Sequence, residues 1–120
     1  MRMPIKNARN LTQQHSEIRN LADFSQAVSL KDEPFDLILY NAGMDPYEGC
    51  AIGGLDGISD GTLASRDSMV FAWAQERQIP VVFVLAGGYV SDGLPQSLLV
   101  NLHRMTIRAA LVTAAVSGLG

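Results

Sequence analysis

The chain has 120 residues, a net charge of −3 and no cluster of Lys or Arg. It is one small domain or a piece of a larger one, and it lacks the basic footprint that nucleic-acid binding requires. A single cysteine, Cys50, excludes an intrachain disulfide and a cysteine-based zinc cage, and no apolar stretch approaches the roughly 20 residues of a membrane span.

Residues 1–20 mix Asn, Gln, Arg and His with few apolar anchors and read as a poorly anchored arm, ahead of an α/β domain over residues 21–120. The polar start, Met1 to Asn7, has no apolar signal core, so a cytoplasmic, thiol-reducing setting is expected. Leu21, Phe24, Ala27/Val28 and Lys31 recur every three to four residues, a one-sided helix that Asp32-Glu33-Pro34 ends. A near-continuous apolar run from Phe35 to Tyr40 predicts a first strand of the buried parallel type. A long glycine-rich loop from Asn41 to Gly57 follows.

Ser59 is placed to cap a helix from about Asp60 to Gln78, with Leu63, Val70 and Ala74 on its inner stripe and Phe71 and Trp73 flanking it. Pro80 precedes a second strand, Val81 to Leu85. Ser91 or Asp92 and Pro95 open a last helix, with Leu98, Leu102, Met105 and Ala109 on one face. Because Leu99, Val100, Ile107 and Leu111 are apolar as well, that helix expects cover on more than one side. The order helix–strand–helix–strand–helix predicts a small parallel βαβ core with flanking helices. Two strands are too few for an independent sheet, so either residues 1–20 add strands or the edges pair with another chain. A hydrophobic fraction of 48% fits strands buried on both faces, or a surface that self-associates.

Chemistry concentrates at the two strand ends. The first runs into Asn41-Ala42-Gly43-Met44-Asp45-Pro46 and the second into Ala86-Gly87-Gly88-Tyr89, where ligands bind in open α/β sheets. Asp45 can ligate a metal, or with Pro46 it can simply start a turn. Tyr89, after two glycines, can donate to a developing oxyanion, or it can pack its ring at the sheet edge. His15 and His103 have no D-x-H or H-x-x-x-H spacing and no placed carboxylate. Cys50 reads as an inert thiol. The glycine pairs match neither a dinucleotide fingerprint nor a P-loop, and no G-x-S-x-G elbow occurs.

Leu37-Ile38-Leu39-Tyr40-Asn41-Ala42-Gly43-Met44-Asp45-Pro46, Ile52-Gly53-Gly54-Leu55, Phe83-Val84-Leu85-Ala86-Gly87-Gly88-Tyr89 and Leu102-His103-Arg104 together resemble the C-terminal part of the histone deacetylase superfamily. The resemblance spans roughly residues 21 to 112 and is closest to the acetoin-utilisation and acetylpolyamine-deacetylase-like branch. It implies a partial arginase/deacetylase-like fold and a family activity that removes acetyl groups from amines with a zinc-bound water. By this resemblance Asp45 matches the third zinc ligand and Tyr89 the tyrosine that polarises the acetyl carbonyl. Ile52, Gly87 and Gly88 match positions that line the acyl tunnel.

The chain also departs from the family. The D-x-H segment that supplies two zinc ligands and the His-His pair that supplies the base occur nowhere in it, and Cys50 stands where many relatives carry an acidic residue. An identical second chain lacks the same groups. The expectation is therefore a truncated family member that binds no zinc and hydrolyses no amide alone, and that forms a homo-oligomer or joins a deacetylase-family partner chain. An oligomeric binding or regulatory module and the C-terminal half of a two-chain deacetylase are the alternatives.

Overall fold

A computed structural model describes residues 35–119. The expected arm over 1–20 and the helix over 21–31 lie outside the described residues. Among those described, β1 (Ile38–Gly43), α1 (Asp60–Glu76), β2 (Val81–Ala86) and α2 (Gln96–Leu119) follow in chain order. The strands pair in parallel, from Ile38 opposite Val81 to Gly43 opposite Ala86. This is the α/β unit read from the sequence, a two-stranded parallel sheet with helices.

The boundaries of β1 differ from expectation. It begins three residues later than Phe35 and runs three beyond Tyr40. Pairing decides this: the Ile38 amide bonds to the Pro80 carbonyl at 2.9 Å, and Asn41, Ala42 and Gly43 find partners in Val84, Leu85 and Ala86. Asn41 is tolerated in a strand because its position is exposed. The two strands therefore end level with each other, so the residues after Gly43 and after Ala86 leave the sheet side by side.

Helix α1 starts where the cap residue requires. Ser59 has extended backbone angles and its hydroxyl accepts the Thr62 amide at 3.2 Å, satisfying one of the open donors of the first turn. Leu63, Val70 and Ala74 are buried as expected, but Phe71 and Trp73 are buried too rather than flanking. The Phe71 ring stacks edge-on to both Tyr40 and Phe83, with centroids 5.8 and 5.3 Å away, so one aromatic seals α1 onto both strands. Helix α2 begins after Pro95, whose carbonyl accepts the Leu98 and Leu99 amides. Ser91 and Asp92 do not open it; Ser91 instead forms a small bridge with Leu94 ahead of it.

Two apolar clusters result. One joins Tyr40, Ala42, Val70, Phe71 and Trp73 under the sheet, with Ala109 and Ala110 of α2 against it. The other joins Met44, Ile58, Leu63, Leu94 and Leu102 beneath the strand ends. The opposite face of the sheet, Leu39, Val82 and Val84, is exposed, so among the described residues the strands are buried on one face only. The outer side of α2, with Val100, Ile107, Leu111 and Val112, is exposed as well.

Candidate functional site at the strand ends

The loop from Met44 to Ser59 is folded by its own backbone. Met44 is held to the Ala86 carbonyl at 3.0 Å, Leu55 to the Pro46 carbonyl at 3.1 Å, and Glu48 to the Ile58 carbonyl at 2.9 Å. Close approach explains much of its glycine content. A Cβ at Gly54 would stand 2.6 Å from the Cys50 carbonyl, and one at Gly49 would stand 2.3 Å from that of Gly93, in the turn after β2. The loops that follow the two strands are thus pressed backbone to backbone.

Asp45 leaves this loop directly above the end of β2. Its Oδ1 accepts the Gly88 amide at 2.7 Å, a charge-assisted bond across the gap between the strands. Gly87 lies flat against the same carboxylate, and a Cβ there would meet Asp45 Oδ1 at 2.6 Å. Gly88 faces inward, where a Cβ would collide with Met44 Cβ at 2.7 Å and Leu99 Cδ1 at 2.8 Å. Both glycines have positive φ, +69° and +68°, which a side chain would strain. The pair therefore forms a cradle for a carboxylate, with the close contacts that glycine alone permits.

Tyr89 follows at once and is 81% exposed. Ile52 is 87% exposed, next to Gly53, which borders Asp45 with its Cβ direction 3.6 Å from Asp45 Cβ. The structure thus brings Asp45, Gly87 and Gly88 into contact and sets Tyr89 and Ile52 beside them. Cys50 donates its thiol to the Met44 carbonyl at 3.2 Å, and burial, then the Asp45 charge, push the thiol up from its ordinary range. His103 sits partly buried on α2, its Nδ1 without a partner among the described residues, and His15 lies outside them.

Two buried charged residues escaped the sequence reading. Arg66 and Asp67 are buried in α1, paired through contacts of 3.1 and 3.0 Å. Asp67 Oδ1 also accepts the Tyr40 hydroxyl, and its Oδ2 accepts Thr106 of α2 at 2.5 Å. Arg66 Nη1 donates to the carbonyl of Gly43, the last residue of β1, at 2.6 Å. A signal was present: Leu63, Asp67, Val70 and Ala74 share one helical spacing, and a charge inside an apolar stripe is paired when buried.

The zinc implied by the resemblance can be tested against these residues. A catalytic zinc takes about three protein ligands. Among the described residues no group of three His, Cys, Asp or Glu could hold a metal ion. Asp45 offers one carboxylate, so the residues present do not by themselves fit a zinc site. No helix among the described residues is long and apolar enough to cross a membrane.

The chain is 38% identical over 75 residues to histone deacetylase 2 of Arabidopsis thaliana, a stretch covering 62% of this chain and 19% of that protein. The chain thus spans less than a fifth of the length of the curated relative it matches. No family model matches it. The likeness supports a relationship to the histone deacetylase family.

Proposed function

We propose that these residues are the part of a zinc-dependent, histone-deacetylase-like amide hydrolase that carries one metal ligand, Asp45, and the carbonyl-polarising phenol, Tyr89. We place it in the acetoin-utilisation and acetylpolyamine-deacetylase-like branch and in a cytoplasmic setting. The observation that carries the reading is the Gly88 amide bonded to Asp45 at 2.7 Å, which fixes a carboxylate beside the residue preceding Tyr89. A carboxylate fixed beside the backbone that leads into Tyr89, whose side chain is exposed, suits grip on a single carbonyl group, with Tyr89 donating to the oxygen as negative charge develops on it. Gly87 itself puts no side chain against the carboxylate, where a Cβ would stand 2.6 Å from Oδ1.

Since one carboxylate does not complete a zinc site, the 120 residues alone hydrolyse no amide in this proposal, and the remaining ligands and base come from other polypeptide. The test mixes the chain with a polypeptide carrying the D-x-H and His-His segments and measures acetate released from an acetylated amine in the presence of zinc. Activity is expected with the mixture, and Tyr89→Phe should lower it roughly 10²-fold. Cleavage by the 120 residues alone, or no activity in any such mixture, sinks the reading.

A second reading is favoured by the exposed sheet face of Leu39, Val82 and Val84. Parallel strands are normally covered on both faces. In this reading the segment is an interaction module that buries that face against a second copy of itself or a deacetylase-family chain.

A further inference from the structure

We infer that Arg66 is the positioning residue for Asp45, acting through the carbonyl of Gly43 at the end of β1. The inference rests on the proposed role of Asp45 for its functional meaning, while its geometry stands independently. Arg66 is the link between the buried polar cluster and the strand tip. One side of its guanidinium is occupied by Asp67, and Nη1 is left for the Gly43 carbonyl at 2.6 Å. Asp67 in turn is held by Tyr40 from β1 and Thr106 from α2. The guanidinium is therefore oriented by three elements before it reaches the tip.

One residue, Met44, separates the held carbonyl from Asp45, and it is fixed through both its amide and its side chain. The Met44 amide bonds to Ala86 at 3.0 Å, and the buried Met44 side chain packs beneath Gly88. The Gly43 carbonyl and the Met44 amide belong to one planar peptide unit, held on one edge by Ala86 and on the other by the buried cation. Arg66 thus completes the clamp that sets the direction in which Met44 and Asp45 leave the sheet. The planar fork suits the task, because it engages a carboxylate and a carbonyl at once, whereas an ammonium is a point charge. Arg66 touches no reacting atom; it decides where Asp45 stands relative to Gly88 and Tyr89.

The test is amide hydrogen exchange on the folded 120-residue chain and its Arg66→Lys variant. The Gly88 amide reports its bond to Asp45, and the Met44 amide its bond to Ala86. Ile38, bonded to Pro80 at the far end of the sheet, and Val70 within α1 are the controls. Arg66→Lys should lower protection at Gly88 and Met44 by about tenfold or more, as losing a charged hydrogen bond at one locus does, and leave the controls within about twofold. Thr106→Val, which keeps the Arg66 contact with Gly43, should show no loss confined to the tip. Uniform loss across all four amides, including outright unfolding, would make Arg66 a general stabiliser and overturn the inference. Unchanged protection at Gly88, or an equal tip-confined loss in Thr106→Val, overturns it as well. No metal or substrate enters these measurements, so failure of the deacetylase reading in the acetate assay and failure here are separate results.

Discussion

The Gly88 amide donates to Asp45 Oδ1 at 2.7 Å, joining the tip of one strand to the tip of its neighbour. This bond turns two loop ends into a single platform and ties the orientation of the carboxylate to a backbone that only glycine allows. Gly87→Ala is the sharpest probe of that dependence. The new methyl would stand within 2.6 Å of Asp45 Oδ1, on a backbone with φ of +69°. Stability should fall by roughly 1–3 kcal/mol, the range for a side chain forced into a sparsely populated backbone region. Urea unfolding measures the loss, and the Gly88 amide resonance should shift as its acceptor is pushed away. Unchanged stability with an unchanged Gly88 resonance would mean that the cradle is loose.

Asp67→Asn tests the buried cluster. With no carboxylate, Arg66 stays buried beside a neutral amide. Breaking one partner of a buried ion pair costs about 3–5 kcal/mol, a large share of the stability of a small domain. The side chains of Arg66 and Asp67 are 6% and 1% exposed, so solvent offers little relief. Exchanging both for apolar residues of similar size leaves the Tyr40 and Thr106 hydroxyls and the Gly43 carbonyl without their buried partners, so it should cost at least as much as Asp67→Asn. A double variant clearly more stable than Asp67→Asn in urea unfolding would contradict this account.

How much of this was legible in the residues follows from the kind of signal each element carries. Helix α1 announced itself through Ser59 and a stripe at helical spacing, and β2 through Pro80 and an unbroken apolar run. The end of β1 did not, because Asn41-Ala42-Gly43 has loop composition and becomes strand through its pairing with Val84, Leu85 and Ala86, a tertiary fact. Asp45, Gly87 and Gly88 could be named from motif resemblance, yet why two glycines are needed became clear with positive φ and a carboxylate against them. Arg66 and Asp67 were passed over because charged helix residues usually face water. Their partners, Tyr40, Gly43 and Thr106, lie 23 to 39 positions away in sequence.

The open sheet face makes a third prediction. Leu39, Val82 and Val84 form an apolar strip with no cover among the described residues. In the proposed self-association this strip is buried between chains, so light scattering should give a mass above the 12.9 kDa of one chain. Replacing Leu39 and Val84 together by Lys should return it to a monomer, because charges facing each other across an apolar interface lose hydration without a partner. The core clusters lie on the other face, so the variant should keep its helical circular dichroism. A monomeric parent chain removes the case for a homo-oligomer.

Tyr40 supplies a prediction in pH. Burial drives its phenol far above the ordinary range, with Arg66 opposing and Asp67 reinforcing that shift. In the unfolded chain the phenol titrates near 10. Below that pH both states keep the proton and the stabilisation is fully present. Above it the unfolded chain releases a proton that the folded chain retains, so stability declines as pH rises. Cys50, also raised by burial, should add a smaller decline that begins nearer 8.5. Urea midpoints taken from pH 7 to 11 should therefore fall, most steeply past 10. Tyr40→Phe should abolish the steep part while lowering neutral stability by about 1–3 kcal/mol, because Asp67 loses a buried donor. If the alkaline decline persists unchanged in Tyr40→Phe, the phenol is not the group responsible, and the Tyr40–Asp67 contact does not govern the alkaline limit of the fold.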